Sequence, residues 1–217
     1  MWRFVLAFLV VIMTTQTTQA QFFFWNWDDD KPNDEIRSGG PKPYIEPILP
    51  EHINFPNTLN TGTILIDLRG RQLFLIHDNH TALHYPIAVG KQGFSWQGSE
   101  KISRKAEWPD WHPPEEMRER VSDLPYRMTG GIKNPLGAAA LYLGNTLYRI
   151  HGTNDPSSIG TASSSGCFRM QNGSIVDLAS RVEVGAEVRV VTRLPADLEQ
   201  LVASQVRPFR RDRRRAD

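Results

Sequence analysis

One cysteine and one nearby histidine are the side chains best suited to covalent chemistry here. Cys167 is the only cysteine in 217 residues, and it lies sixteen residues after His151 in "RIHGTNDPSSIGTASSSGCFRM". A lone cysteine forms no internal disulfide. It is therefore an accident, a site for pairing with another chain, or a nucleophile. Its surroundings favour the nucleophile. Gly166 removes side-chain bulk beside the thiol, and the successive N–H groups of Ser165, Gly166 and Cys167 form a candidate oxyanion hole. His151 is the histidine nearest in sequence and can act as the base that generates the thiolate. Its removal is expected to leave Cys167 less thiolate-like near neutral pH. All six histidines precede Cys167, whereas papain-like proteases place their cysteine first and caspases carry a different cysteine signature. The residues alone point to a thiol acyl-transferase or hydrolase.

The elements that must position this pair read as strands. "TILIDLRGRQLFLIH" alternates apolar and polar residues around Arg69-Gly70, which predicts two strands and a tight turn. A second turn at Asp78-Asn79 and "TALHYPIAVG" extend this to a three-stranded meander. "EKISRKAEW" is a fourth strand, and "ALYLG" and "TLYRIHG" are strands that bring His151 to a strand end. "GSIVDLASRV" reads as an amphipathic helix capped by Ser174, with Ile175, Val176, Leu178 and Val182 on its apolar side. "AEVRVVTR" is a closing strand, and "PPEEMRERV" a short helix. No run of βαβ units argues for a parallel sheet. The sum is a single β-rich domain. The proline-rich block from Trp108 to Gly131 suits a ladder poorly. It reads either as a structural flap packed by its aromatic residues or as a lid bordering the groove that holds Cys167, with Gly130-Gly131 as its hinge.

Residues 1–20 have the order of a secretory signal: Arg3, an apolar run from Phe4 to Met13, a polar stretch and Ala20. That run is too short to span a bilayer, which takes roughly 20 residues. Residues 21–56 are rich in Asp, Pro, Gly and Asn and read as a disordered linker. Residues 194–217 form a C-terminal segment with an arginine-rich tail, "RPFRRDRRRAD", which reads as a solvated disordered tail or as a contact for an anionic lipid or polymer; nucleic acid is not expected as a partner of an exported chain. His77, His80 and His84 straddle the expected turn, and no cysteine or carboxylate cluster completes a tetrahedral set. No metal or organic cofactor is expected.

The blocks "IHGT", "SIG" and "SSSGCFRM" followed by Asn172 resemble the L,D-transpeptidase catalytic domain, the YkuD or ErfK/YbiS/YcfS/YnhG family. "IAVGKQGFSWQG", "ISRKAEWPDWHPP" and "GGIKNPLGAAALYLG" extend the resemblance over residues 57–193. It implies an all-β, sandwich-like domain in the periplasm or cell-wall space. It also implies Cys167 as nucleophile, His151 as base and the Gly152 carbonyl as the group that orients the imidazole. Backbone amides of Ser165, Gly166 and Cys167 would form the oxyanion hole. Arg169 would hold the loop or meet a substrate carboxylate, with Ser164 and Asn172 beside it as substrate-binding residues. The chain departs from many members by having Ser165 where histidine precedes the Gly-Cys pair, and by Phe168 in an aliphatic slot.

The implied substrate is a peptidoglycan tetrapeptide stem, cleaved between diaminopimelate and D-Ala through a thioester. The acceptor is an amine on a neighbouring stem, an amine on an outer-membrane protein, or water, which would make a carboxypeptidase. Carbapenems are the implied covalent inhibitors. Two rivals stand beside this: a wall-binding module without catalysis, and an exported thiol peptidase.

Overall fold

A computed structural model describes residues 35–91, 96–164 and 166–207. The signal-like leader, the arginine run after Arg207 and Ser165 lie outside the described residues. Within them, short runs of aliphatic, aromatic and β-branched residues form strands, as such side chains do on a pleated surface. In chain order these are β1 (Ile36–Arg37), β2 (Glu51–Asn54), β3 (Ile64–Asp67), β4 (Gln72–Ile76), β5 (Thr81–Pro86), β6 (Val89–Gly90) and β7 (Gly98–Glu107). They continue as β8 (Arg127–Met128), β9 (Ala139–Leu143), β10 (Arg149–His151), β11 (Ala162–Ser164), β12 (Phe168–Arg169) and β13 (Glu187–Val191). The helices are α1 (Glu115–Arg120), α2 (Asn172–Arg181) and α3 (Ala196–Gln205). The domain is mainly β, as the sequence implies.

Nine strands pair in the order β12-β10-β9-β7-β13-β3-β4-β5-β2. The long strand β7 joins two halves. Gly98–Lys101 pair with β13, and after an irregularity between Ile102 and Arg104 the remainder pairs with β9. A strand that changes partners at a bulge turns the corner between layers. The main core lies between the halves: Ile64, Ile66, Leu73 and Leu75 meet Leu141, Leu143, Ile150 and Phe168, together with Ile175 and Leu178 of α2. Tyr85 donates to Asp177 Oδ2 at 2.7 Å, and Arg181 holds the same carboxylate through both oxygens at 2.8 Å. Tyr85 and Asp177 are buried, Arg181 covers them from the exposed side, and the three together lock β5 to α2.

Four features differ from the sequence expectations. The alternation around Arg69-Gly70 suggests one solvated face, yet β3 is buried along its whole length. Its second face carries Leu65, which joins Phe74, Ile76 and Ala82 under α3, a helix that the expected tail does not contain. Residues 35–56 are an ordered arm rather than a disordered linker. β1 pairs with β8, β2 pairs with β5, and the Ile48 N–H donates to the Gly173 carbonyl at 3.1 Å. Ser174 sits inside α2, where Gln171 is the cap residue. Finally, β13 pairs in parallel with β3, and β12 with β10, without any helical crossover motif in the sequence to signal it.

The Trp108–Gly131 block is clamped, not hinged. Asp110 binds Arg127 and accepts from the Gly130 N–H at 2.8 Å, and Asn134 Nδ2 donates to the carbonyls of Pro109, Met128 and Thr129. A Cβ on Gly130 would overlap the Trp108 carbonyl, and one on Gly131 would overlap Gly39. The glycines serve close backbone approach. Trp108 lines a groove with Lys105, Glu107 and Ala139. Lys105, Glu107 and Ala139 face the side of the sheet that α2 covers, opposite to His151 by strand alternation.

Candidate active site

His151 is the last residue of β10, and the chain then leaves the sheet as a loop that returns at β12. Because β10 and β12 run parallel, the loop must travel back the length of β10 before re-entering. The register pairs Ile150 with Phe168 and His151 with Arg169. Continuing it one residue back places Cys167 two positions away along β10, beside Arg149. Ile150 and Phe168 are buried in the core, so alternation turns Arg149, His151 and Arg169 to the opposite face. The His-x15-Cys spacing is thus the length of a parallel crossover.

His151 is 4% exposed, and its Nδ1 lies 2.6 Å from the Gly152 carbonyl. A carbonyl only accepts, so Nδ1 carries the proton and Nε2 keeps the lone pair. Burial holds the imidazole well below its usual range, at about 3, against the raising effect of the Gly152 bond; Arg169 and Arg149 add to the lowering. The ring is therefore neutral at physiological pH. Cys167 keeps some exposed surface, but its thiol is also raised, chiefly by burial, with the Arg149 charge opposing. Sγ faces the Leu147 carbonyl at 3.7 Å. The resting pair is thiol and neutral imidazole, not the thiolate favoured by the sequence reading.

The remaining expected residues divide by what they touch. Ser164 is buried; its Oγ donates to the Cys167 carbonyl at 2.5 Å and accepts from the Gly166 N–H at 3.2 Å. It closes the turn that presents Cys167, so Ser164 is a brace rather than a substrate contact, and the Gly166 N–H is engaged within the turn. Gly166 has φ 111°, in the region that favours glycine. Arg169 exchanges backbone hydrogen bonds with Ala88 at 2.8 and 2.9 Å, which pins β12 on its outer side. The oxyanion-hole position assigned to Ser165 lies outside the described residues.

Asn172 opens α2, and its Oδ1 accepts from the N–H groups of Ala138 (3.0 Å) and Thr153 (3.1 Å). One side chain thereby ties the start of β9 to the loop leaving His151. The space exists because Gly137 and Gly152 lack a Cβ; one on either would overlap Asn172 Oδ1. The occupied carbonyl makes Asn172 a positioning residue for His151 rather than a substrate contact. Asn172→Ala strands two enclosed N–H groups, at about 1–3 kcal/mol each. The expected result is a lower melting temperature and a loss of turnover, with Asn172→Asp retaining more of both. Calorimetry and a turnover assay check it.

Sequence reasoning passes over Arg149. Its position two residues before His151 on a strand is a period-2 signal that would have placed it on the same face. Tyr142 and Arg104 follow by register, since Tyr142 pairs with both Arg149 and Arg104.

The fold and the Cys–His arrangement define one class. Residues 61–190 match the family model described as YkuD, L,D-transpeptidase catalytic domain, and the chain belongs to that family. The "Putative L,D-transpeptidase YkuD" of Bacillus licheniformis is 35% identical over 153 residues, covering 70% of this chain and 79% of that protein. The "Probable L,D-transpeptidase ErfK/SrfK" of Escherichia coli K12 is 33% identical over 159 residues, 70% of this chain and 50% of that protein. The chain thus spans about half the length of this curated relative. A solved structure, the Ldtfm-avibactam carbamoyl enzyme, shares the fold with a TM-score of 0.50 at 20% identity, covering 61% of this chain and 49% of that chain.

Proposed function

We propose that this protein is an exported L,D-transpeptidase that acylates Cys167 with a peptidoglycan stem and passes the acyl group to an amine. The observation that carries the reading is the tautomer lock: His151 Nδ1 bonded to Gly152 at 2.6 Å frees Nε2 to act on the cysteine of the adjacent parallel strand. Sγ turns from the Leu147 carbonyl toward His151, and Nε2 takes the thiol proton as sulfur attacks the diaminopimelate carbonyl. The carbon–nitrogen bond to D-Ala breaks, and the imidazolium returns the proton to the departing amine. A thioester remains. An incoming amine attacks it, loses its proton to His151, and the thiol is restored. A stem amine gives a 3–3 cross-link; an outer-membrane protein amine would tether that protein to the wall. Export rests on the order of charges and apolar residues in residues 1–20.

The test is mass spectrometry of muropeptides incubated with the purified protein. D-Ala release together with 3–3 dimers supports transfer, and D-Ala release alone makes water the acceptor. No change in any muropeptide overturns the reading. A carbapenem should add covalently to Cys167 in the same instrument.

A further inference from the structure

Next to the Cys–His pair, on the same face of the sheet, runs a second row of side chains. Arg104 of β7, Tyr142 of β9 and Arg149 of β10 are cross-strand neighbours, and Cys167 continues the row. The Tyr142 ring holds a guanidinium on either side: Arg104 Cζ lies 3.7 Å and Arg149 Cζ 5.2 Å from its centroid. Both are within the range of cation–π attraction. Such stacking fixes the two long side chains without using their N–H donors. Arg149 Nε is enclosed and has no hydrogen-bond partner among the described residues. No ion pair of either arginine with a described acidic side chain is present, whereas Arg37 takes two and Arg127, Arg181, Arg189 and Arg193 take one each. The Arg149 side chain also hydrogen-bonds the Cys167 thiol, and two held cations with donors left over, ending at a nucleophile, suit a planar anion.

We propose that Arg149, braced by Tyr142 and Arg104, binds the free carboxylate of the residue that leaves the acyl donor. That carboxylate stands one carbon beyond the scissile nitrogen, so a group beside the nucleophile can reach it. The row selects donors that end one residue past the attacked carbonyl and discriminates against amidated or extended ends. Arg104, the exposed end, draws the anion in along the strand row. The identity of the carboxylate rests on the transpeptidase reading; the anion site itself does not.

Two measurements separate them. The first compares alkylation of Cys167 by iodoacetate and by iodoacetamide, which differ in charge and form the same carbon–sulfur bond with loss of iodide. The ratio of the two rates is expected to fall about tenfold in Arg149→Gln, equivalent to about 1.4 kcal/mol. It should fall less in Arg104→Ala, stay near wild type in Arg149→Lys, and shrink with added salt. If Arg149 only supports the strand, both rates shift together and the ratio holds, which overturns the proposal; Arg104→Ala, at an exposed position, decides the same point should Arg149→Gln fail to fold. The second measurement follows D-Ala release from a tetrapeptide stem and D-alaninamide release from its C-terminal amide. Wild type should prefer the acid and Arg149→Gln should lose the preference. A falling ratio without turnover of either peptide upholds the anion site and rejects the transpeptidase reading. Equal turnover of acid and amide by wild type overturns the carboxylate assignment.

Discussion

Cys167→Ala is expected to abolish both D-Ala release and amine transfer, lowering turnover by a factor on the order of 10³ or more, as removal of a covalent nucleophile does. No other described side chain in the row offers a nucleophile: its neighbours are arginines and Tyr142, and the latter is occupied by two guanidinium groups. The fold should survive. Sγ contacts the Leu147 carbonyl at 3.7 Å and is hydrogen-bonded by Arg149, contacts at the edge of the sheet rather than in its core, and the turn is braced by Ser164 Oγ on the Cys167 backbone carbonyl, which alanine retains. Circular dichroism and the melting temperature check the fold, and chromatography of digested sacculi checks the activity. Retained turnover in this variant would end the thioester mechanism.

The second large effect is a separation between reactivity and turnover in His151→Ala. Burial holds His151 at about 3, so the imidazole is neutral from acid through alkaline pH and never pairs ionically with a thiolate at rest. Cys167 is raised by burial, so thiolate appears only as pH climbs above the ordinary thiol range near 8.5. Alkylation by iodoacetamide should therefore rise steadily from pH 6 to 9 with no plateau and no inflection from a histidine near 6.5. Removing His151 should change that alkylation profile little, because no positive charge is lost. Turnover should fall by about 10²–10⁴, the usual contribution of a general base. A plateau of high reactivity below pH 7, lost in His151→Ala, would show a preformed ion pair and falsify the neutral-base account.

The sequence exposes those parts of this site that depend on local chemistry. Alternation and turn residues locate β3, β4, β5, β7, β9 and β10, and they bring His151 to a strand end, because each signal is a property of a few adjacent side chains. The Gly152 carbonyl, one residue from the ring it orients, is implied by the family resemblance and not by the local residues. Harder to see is whatever depends on a distant partner. The parallel docking of β12 on β10 joins segments separated by a loop. The clamp made by Asn172 needs Gly137 and Gly152 from two other elements. Ser164 looks like a polar loop residue and proves buried, because the turn folds back upon its hydroxyl. The arm of residues 35–56 reads as disordered by composition, since its order comes from strands and helices far along the chain. α3 carries Leu198 and Val202 one turn apart, a helix signal masked by the arginine run after it.

The second apolar face of the sheet also sets how far the chain can be shortened. Residues 57–193 include the family-matched segment, yet cutting there removes Ile53 and Phe55 from one side and Leu194 and Val202 from the other. Leu65, Phe74, Ile76 and Ala82 would then meet water, and β5 would lose β2, leaving an unpaired edge next to an apolar surface. That combination invites strand-to-strand association between copies. The shortened fragment is expected to sediment as mixed oligomers where residues 35–207 remain monodisperse, and fragments that keep both β2 and α3 should stay dispersed. In this fold the border of the soluble unit lies outside the border of the chemistry, and an edge strand and a terminal helix act as its antiaggregation cover.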